Sequence, residues 1–299
     1  MVDERWPDWL AELPGVVERL PKVVPLGTVI GYVSHGAAEE TGLREGTPVV
    51  SGATDGVAAA LASGIHRAGD WNITLGTTLV FKGVSRSIIS HPQGTIYSHK
   101  LTRDAWLPGA ASNVGAAWID AWFRADGMNA QERDAAAAPL LPTSVVAYPL
   151  VARSERFPFV APHAAGFVEP VTASEAERYA ACLQATAMVA RFALEKLDAA
   201  SGAVAGELYL TGGGSRSGVW MQCFADVTGR AVHVSGRSSV DGAAMLAAAG
   251  MAGGDILQAA AGMRCIERTL LPDASRCLAY DEQYARFCAE LQRRGYLPS

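Results

Sequence analysis

The sequence predicts an α/β protein, because short apolar strands run directly into helical stretches. One such junction follows Val49 and Val50, where β-branched residues give way to the alanine-rich stretch 57–62 with high helix propensity. A second follows the apolar run 207–211, where three glycines lead into a helical stretch from Val219. With 299 residues, of which 49% are hydrophobic, the chain is long enough to bury a large core in one or two domains.

Charge and cysteine usage narrow the range of partners. The net charge is −5 and there is no long basic run, so the sequence has no basic patch that would attract nucleic acid or an anionic membrane. No apolar run approaches the ~20 residues of a membrane span, and the N-terminus lacks the pattern of a signal peptide.

The five cysteines are odd in number and far apart, which indicates reduced thiols and a cytoplasmic location. The six histidines never pair at zinc-site spacing, so we assign no metal ligand.

Asp55 stands at the first strand-to-helix junction. Gly52 lets the backbone turn tightly before it, and the helix start supplies free N–H groups and the positive end of the helix dipole. These features favour an ionised carboxylate, which suits a base that accepts a hydroxyl proton near neutral pH. The alternative is that Asp55 only caps the helix, as aspartate commonly does at such positions.

A short hairpin follows this helix. Gly76, Thr77 and Thr78 interrupt an apolar strand pair that runs from Asp70 to Phe81. A glycine followed by two hydroxyl residues gives a tight turn whose backbone N–H and side-chain O–H groups can face a phosphate. Turns of this kind are also common in β-rich proteins that bind no phosphate, so the turn alone leaves both interpretations open.

Three consecutive glycines, Gly212 to Gly214, follow the second apolar strand. They let the backbone approach a flat ligand closely just before a helix begins. The pattern is not a dinucleotide-binding fingerprint, because Ser217 stands where the last glycine is required, and no Gly-Lys-Ser/Thr sequence marks a P-loop. A plain strand-to-helix turn is the alternative.

The other elements are predicted to be scaffold. Residues 110–123 predict a helix with Asn113 as its cap, in which Trp118 and Trp122 favour core packing over a sugar-stacking platform. A long amphipathic helix is predicted from Ser174 to about Ala200. Further strands are predicted over residues 27–33, 94–101, 105–109, 144–150 and 231–234.

Three motifs together resemble the FGGY family of carbohydrate kinases. The first is Gly52-Ala-Thr-Asp-Gly56 with its alanine-rich helix, and the second is Leu75-Gly-Thr-Thr78. The third is Leu210-Thr-Gly-Gly-Gly-Ser-Arg-Ser217 with the helix behind it. The motifs occur in the order of the family, and the resemblance extends from about Trp9 to Leu297.

The resemblance implies an actin-like, ribonuclease H-like ATPase domain and assigns roles that spacing alone does not. Asp55 is then the catalytic base, and ATP and Mg²⁺ are the cofactors. The residues implied to contact the nucleotide are Gly76, Thr77, Thr78, Gly115, Gly213, Gly214 and Ser217.

The resemblance also implies that the chain consists of parts of two domains. The first domain of the family opens with Asp-x-Gly-Thr/Ser, and no such tetrapeptide precedes Asp55, so the chain resembles the C-terminal half of such a kinase. Residues 1–68 are then a remnant of the first domain, and residues 69–299 form the second, nucleotide-binding domain. A first domain supplied by another chain and a homodimer are the protein partners that this suggests.

The activity implied by the resemblance is ATP-dependent phosphorylation of a sugar hydroxyl. The segments 97–100, 106–115 and 155–158 look closer to pentulose kinases of the ribulokinase-like branch than to glycerol kinases, which implies D-ribulose or D-xylulose. In the last segment, Arg156 is expected to pair with a carboxylate and pin the loop. The alternative is a catalytically silent nucleotide-binding fragment or subunit that needs a separate N-terminal domain. An actin-like ATPase unrelated to sugars is disfavoured by the Asp55 motif.

Overall fold

A seven-stranded mixed sheet is central to the computed structural model, which describes residues 3–124 and 127–297. In chain order, the strands of the described residues are β1 (Val29–Tyr32), β2 (Pro48–Val50), β3 (Trp71–Leu75), β4 (Leu79–Gly83), β5 (Tyr97–Lys100), β6 (Trp106–Ser112), β7 (Val146–Tyr148), β8 (Phe167–Glu169), β9 (Leu208–Thr211), β10 (Val232–Val234) and β11 (Arg268–Leu270). The helices are α1 (His35–Thr41), α2 (Asp55–Ser63), α3 (Ala117–Phe123), α4 (Ala130–Ala137), α5 (Glu175–Ser201), α6 (Gly218–Thr228), α7 (Ser239–Ala252), α8 (Ile256–Met263) and α9 (Ala274–Arg293).

The strand order in the sheet is β11-β10-β9-β3-β4-β6-β5. The central strand β3 pairs in parallel with β9 and antiparallel with β4, and β9 pairs in parallel with β10. The strands β4, β6 and β5 form an antiparallel meander. Because β3 and β9 are parallel neighbours, their carboxyl ends lie at the same edge of the sheet. This edge carries both predicted glycine turns.

Helices cover both faces of this sheet, which confirms the predicted α/β class. On one face, Trp71, Ile73 and Leu75 of β3 belong to a core that includes residues of α5, α6 and α9. On the other face, residues of α2, α7 and α8 form a second core with Val84, Leu101 and Leu107. Strand side chains alternate between the two cores, so Asn72 and Thr74 face the side covered by α2.

Local sequence signals explain how two of the helices are built. Ser174 accepts a hydrogen bond from the backbone N–H of Glu177, whose carboxylate accepts in return, and this capping box starts α5 where the sequence predicted. In α7, a Cβ on Gly242 would lie 1.9 Å from the carbonyl oxygen of Ala58 in α2. Glycine at this position therefore allows α2 and α7 to pack with their backbones in contact.

One predicted helix begins later than expected. Residues 110–112 belong to β6, where Ala110 and Ala111 pair with Phe81 and Val80 of β4, and α3 begins only at Ala117. Small residues suit this inner strand, because it is flanked by β4 and β5 and partly buried on both faces, so tertiary pairing overrides alanine's helix propensity. Asn113 is consequently in a turn and does not cap α3. Trp118 is fully buried, as predicted.

The N-terminal part of the chain is irregular around a small sheet. Two 3₁₀ turns, Asp8–Glu12 and Val17–Arg19, precede the antiparallel pair β1–β2. The following helix α2 packs on the main sheet with α7. The division into residues 1–68 and 69–299 stays a prediction. Among the helices of the described residues, none is both long and apolar enough to cross a lipid bilayer.

Candidate active site

Asp55 is the first residue of α2, and Thr54 occupies the N-cap position. The Asp55 side chain is exposed, and its Oδ1 accepts a hydrogen bond of 2.7 Å from the backbone N–H of Gly56. Thr54 occupies the N-cap position without a side-chain capping bond, and the choice between a catalytic and a purely structural role for Asp55 stays a prediction. The carboxylate is open to solvent at a helix N-terminus, where it can accept a proton from a ligand.

The hairpin between β3 and β4 packs directly against the turn that follows β6. The backbone N–H of Ala116 donates to the carbonyl of Gly76 at 2.7 Å, and that of Leu79 donates to the carbonyl of Val114 at 2.8 Å. A Cβ on Gly115 would lie 2.4 Å from the carbonyl oxygen of Thr77. Only glycine fits there without displacing the hairpin.

The triple-glycine turn lies against the other side of the same hairpin. A Cβ on Gly212, whose φ is +91°, would lie 2.7 Å from the carbonyl oxygen of Leu75, and a Cβ on Gly214 would lie 2.5 Å from the Leu75 side chain. A Cβ on Gly213, in contrast, would meet no atom within 4 Å. The turn is therefore fixed at its ends and open at its middle glycine.

Ser217 and Arg268 hold the far end of this turn. The Ser217 hydroxyl accepts a hydrogen bond of 3.0 Å from the backbone N–H of Trp220 and so caps α6. The Arg268 guanidinium donates to the carbonyl of Ser215 at 2.8 Å. The turn is thereby tied to both α6 and the edge strand β11.

The structure thus joins all seven predicted nucleotide residues into one rim at the carboxyl ends of β3 and β9. We call this set the glycine rim: Gly76, Thr77, Thr78, Gly115, Gly213, Gly214 and Ser217. Open α/β sheets commonly bind ligands outside the carboxyl ends of their strands. The contacts that unite the glycine rim do not include Asp55, which lies separately at the start of α2.

A buried polar cluster ties β3 to β9 below the glycine rim, and sequence analysis missed it. The Asn72 amide, 2% exposed, donates to the Tyr209 carbonyl and to the Thr211 hydroxyl at 3.2 Å. The Thr74 hydroxyl lies 3.2 Å from the Asn72 side-chain oxygen and 3.1 Å from that of Thr211. Alternation of Asn72 and Thr74 with Ile73 and Leu75 is the signal that places them on one face.

The loop after β7 is held by the carboxylate of Glu155 and not, as the sequence predicted, by Arg156. Arg156 is exposed and forms no ion pair with a described residue. Glu155, 1% exposed, instead accepts hydrogen bonds from the Tyr148 hydroxyl at 2.6 Å and from the backbone N–H of Asn113 at 2.7 Å. A buried carboxylate needs such donors, and the backbone of the turn before α3 supplies one. Glu155 therefore fixes the turn that contains Gly115.

A buried lysine lies on the sheet face that α2 covers. Lys82 of β4 is 6% exposed, and its Nζ lies 3.2 Å from Nδ1 of His99 and 4.4 Å from the ring centre of Tyr97. Burial lowers the pKa of Lys82 to about 8. Burial and the Lys82 charge together lower the pKa of His99 below its usual value. At pH 7 the pair is therefore a charged lysine beside a neutral histidine.

Replacing Lys82 with methionine should change how stability depends on pH. The pKa of Lys82 is about 8 in the folded protein and 10.5 ordinarily. At a pH between these two values, Lys82 keeps its proton in the unfolded chain and has released it in the folded chain. The free energy of unfolding of the parent protein should therefore rise relative to Lys82→Met as the pH increases from 7 to 10. After allowance for solvent screening, we expect the difference in free energy of unfolding between the parent protein and Lys82→Met to change by on the order of 1–2 kcal/mol over this pH range.

Urea unfolding of both proteins at pH 7, 8, 9 and 10 measures this difference. Lys196→Met, which changes an exposed lysine whose pKa is also lowered, serves as the control and should give a smaller slope of the free energy of unfolding with pH. A constant difference between the parent and Lys82→Met across this range contradicts the placement of Lys82 as a buried, destabilised cation.

Comparison with protein families matches residues 71–251 to the FGGY family of carbohydrate kinases, C-terminal domain, and residues 1–62 to the N-terminal domain of the same family. The chain belongs to the FGGY family of carbohydrate kinases. In this family context, the sheet of β6, β4, β3, β9 and β10 with its flanking helices is the actin-like, ribonuclease H-like fold that the sequence predicted.

Curated relatives of this FGGY chain include autoinducer-2 kinases. Those of Salmonella typhimurium (strain LT2) and Yersinia pestis (strain Pestoides F) are each 27% identical over 259 residues, which is 78% of this chain and 48% of theirs. The chain therefore spans about half the length of the curated relatives it matches.

Solved structures of sugar kinases share the fold. A kinase from Brucella ovis, described as a xyloylose kinase, superposes with a TM-score of 0.86 at 25% identity, over 98% of this chain and 62% of its own. The xylulose kinase from Rhodospirillum rubrum gives a TM-score of 0.80 at 28% identity, over 95% and 59%. The glycerol kinase of Plasmodium falciparum with ADP, at 15% identity and a TM-score of 0.75, shares the fold alone, over 99% and 60%.

Proposed function

We propose that this chain carries the ATP-binding half and the catalytic base of an enzyme that phosphorylates a sugar hydroxyl. The observation that supports it is the glycine rim: three segments far apart in sequence meet at the carboxyl edge of β3 and β9. An exposed carboxylate, Asp55, begins the helix that covers the neighbouring sheet face. Family membership supplies the reaction class.

The glycine rim fits a nucleotide in two respects. Gly213 leaves space for a flat ring to approach the backbone, since nothing lies within 4 Å of its Cβ position. The exposed Thr77 side chain and the backbone of Gly76 and Gly115 offer small, polar surroundings for phosphate oxygens. In this proposal Gly213, Gly214 and Ser217 hold adenosine. Mg²⁺, when bound, neutralises part of the triphosphate charge.

Asp55 has one chemical task in this proposal. Its carboxylate accepts the proton of the sugar hydroxyl as that oxygen forms a bond to the γ-phosphorus and the bond to the β–γ bridging oxygen breaks. Its exposure leaves room for a substrate, and the single backbone hydrogen bond from Gly56 orients one oxygen and leaves the other for the substrate. The other residues contribute by positioning and by charge stabilisation.

The proposed acceptor is a pentulose, D-ribulose or D-xylulose. The segments 97–100, 106–115 and 155–158 resemble pentulose kinases, and two structural neighbours at 25% and 28% identity are named as xylulose-type kinases. Because the relatives include autoinducer-2 kinases, autoinducer-2 is tested as an acceptor beside the two pentuloses.

A catalytically silent nucleotide-binding unit is the second candidate, and one observation favours it. Several apolar side chains of the β1–β2 sheet are exposed, among them Ile30 at 57% and Tyr32 at 67%. A two-stranded sheet is marginally stable alone. The exposed apolar side chains of β1 and β2 therefore offer a surface on which a separate N-terminal domain, supplied by another chain, could pack.

Radiolabelled phosphate transfer from ATP to D-ribulose, D-xylulose, glycerol, gluconate and autoinducer-2 tests the proposal, beside calorimetric titration with ATP. Nucleotide binding with transfer to a pentulose is the expected result. Nucleotide binding without transfer to any acceptor favours the silent unit. Absence of nucleotide binding contradicts both.

A further inference from the structure

A cavity of about 300 Å³ is lined largely by basic and aromatic residues, and no acidic residue of the described chain lines it. We call it the basic cavity. Neither Asp55 nor any residue of the glycine rim belongs to its wall, so it is separate from the candidate active site. Its volume suits a small molecule, and the charge of its wall suits an anion. Among its lining residues are His91, Arg156, Phe157, Phe159, Lys196 and Tyr296.

Arg156 and Lys196, the two permanent cations of the basic cavity, lack a counter-charge. Arg156 is exposed, and its guanidinium has neither a hydrogen-bond acceptor nor a carboxylate partner among the described residues. Nζ of Lys196 lies 5.2 Å from the ring centre of Phe192, and that ring packs edge-on against the ring of Phe159 in the cavity wall. Burial lowers the pKa of Lys196, because the ammonium group loses water and gains no carboxylate in return. An anion in the cavity would supply the missing charge.

A phosphate group matches this pair of cations. A guanidinium donates two parallel hydrogen bonds to phosphate oxygens, and a lysine adds a compact point charge. The aromatic rings of the wall offer a surface on which the carbon part of a phosphate ester packs. The lining therefore indicates a phosphate monoester or inorganic phosphate as the ligand.

The wall that carries Arg156 is a loop closed on itself. Glu155 and Ala161 exchange two backbone hydrogen bonds of 2.9 Å, and residues 156–160 between them all line the cavity. We call residues 155–161 the Arg156 loop. A ligand in the basic cavity therefore lies against this loop.

The Arg156 loop is joined to the glycine rim through Glu155. One carboxylate oxygen of Glu155, Oε1, accepts hydrogen bonds from the backbone N–H of Arg156 at 2.9 Å and from that of Asn113 at 2.7 Å. Asn113 begins the turn that contains Gly115, where the backbone packs on the hairpin between β3 and β4. The same carboxylate oxygen thus holds both Arg156 and the turn at Gly115.

We propose that the basic cavity binds a phosphate group, as inorganic phosphate or on a sugar phosphate, and that its occupation raises the affinity of the glycine rim for ATP. A bound phosphate holds Arg156 and with it the loop whose carboxylate fixes the turn at Gly115. ATP then meets a hairpin that is already fixed, so less conformational entropy is lost when it binds. The binding site is independent of the proposed function, whereas its effect on ATP rests on that function.

The first test measures binding at Arg156 directly. In the full chain labelled with ¹⁵N-arginine, the Nε–H resonance of Arg156, identified by its loss in Arg156→Gln, is followed during titration with inorganic phosphate, D-xylulose 5-phosphate and uncharged D-xylulose. It should move saturably with at least one of the two phosphates and not with D-xylulose. Movement with D-xylulose 5-phosphate alone makes the ligand a sugar phosphate, and equal affinity for both makes the phosphate group itself the recognised part.

Two variants locate this site. Lys196→Gln should weaken phosphate binding about 10-fold, because it removes one charged donor. Arg153→Gln changes an exposed arginine of the same segment that does not line the cavity, and it should bind like the parent protein. An Arg156 resonance that neither phosphate moves, or a Lys196→Gln protein with the phosphate affinity of the parent, overturns the proposed site.

The second test measures the effect on ATP. Direct competition between phosphate and ATP at the glycine rim acts equally on the parent and on Arg156→Gln, so the difference between the two proteins isolates the basic cavity. In calorimetric titrations their Kd for ATP should match without phosphate. With D-xylulose 5-phosphate or inorganic phosphate at a concentration that saturates the parent, the Kd should be about 5-fold lower in the parent. The same ligand should slow amide exchange at Asn113 in the parent only. An equal Kd in both proteins overturns the effect on ATP.

These measurements separate this inference from the proposed function. If a phosphate moves the Arg156 resonance but the chain binds no nucleotide, the basic cavity stands as a site and the proposed function is wrong. If ATP binds and a pentulose is phosphorylated while the Arg156 resonance stays unmoved, the proposed function stands and this inference is wrong.

Discussion

Replacing Asp55 with asparagine should lower turnover with the preferred pentulose roughly 10²- to 10⁴-fold and leave ATP affinity nearly unchanged. Asparagine has the shape of aspartate but cannot accept the hydroxyl proton. Its side-chain oxygen can still accept the hydrogen bond from the Gly56 N–H, so the start of α2 should keep its structure. Steady-state kinetics and calorimetric ATP titration of the same preparation measure the two effects.

Glu40→Gln, which neutralises another exposed carboxylate in the N-terminal part of the chain, is the matched control. It should retain the turnover of the parent protein, because surface substitutions away from a site change little. Equal turnover in Asp55→Asn and the parent protein removes Asp55 from the mechanism.

The second large effect is expected at Gly115. An alanine Cβ there would lie 2.4 Å from the Thr77 carbonyl oxygen and 2.5 Å from the Thr78 Cα, so the hairpin between β3 and β4 must move. Overpacking of this kind typically destabilises a protein by about 1–3 kcal/mol. We expect Gly115→Ala to lower the free energy of unfolding by such an amount and to raise the KM for ATP at least 10-fold, a factor equivalent to about 1.4 kcal/mol.

Two further glycines separate the effects of packing and of ligand contact. The alanine Cβ of Gly213→Ala would meet no protein atom within 4 Å. This variant should therefore keep its free energy of unfolding within about 0.5 kcal/mol of the parent and still raise the KM for ATP. Gly36→Ala, in α1 and equally free of contacts, should leave the KM for ATP unchanged and raise the free energy of unfolding by at most about 1 kcal/mol, because alanine has the higher helix propensity. Urea unfolding and ATP-dependent kinetics measure both. A Gly115→Ala protein with the stability and KM of the parent contradicts the described contact between the hairpin and the turn.

Local sequence signals predicted much of the scaffold and of the glycine rim. The capping residues Ser174 and Glu177 started α5 as expected, because a capping box acts within one helical turn. The strand-to-helix junctions at Asp55 and after Thr211 also formed as predicted. The assembly of the glycine rim came from family resemblance, since spacing alone left each turn open to a plain structural interpretation.

Features that depend on pairing between distant strands were not predicted. The stretch 110–116 has helical composition, but pairing with β4 makes its first part a strand. Glu155, which pins the loop in place of Arg156, finds its donors in Asn113 and Tyr148, and this arrangement requires the tertiary fold. Lys82 and His99 are 17 residues apart and meet only because β5 and β4 flank β6. Sequence periodicity places each residue on a face but does not say which residues meet.

A crystal structure of the full chain with a non-hydrolysable ATP analogue and Mg²⁺ would show whether the glycine rim binds the nucleotide with its terminal phosphate toward Asp55. We expect adenosine at Gly213 and Ser217, phosphates at the Gly76–Thr78 hairpin, and a terminal phosphate that faces the Asp55 carboxylate across space for one sugar hydroxyl. A nucleotide bound elsewhere, or one whose terminal phosphate points away from Asp55, would contradict this expectation.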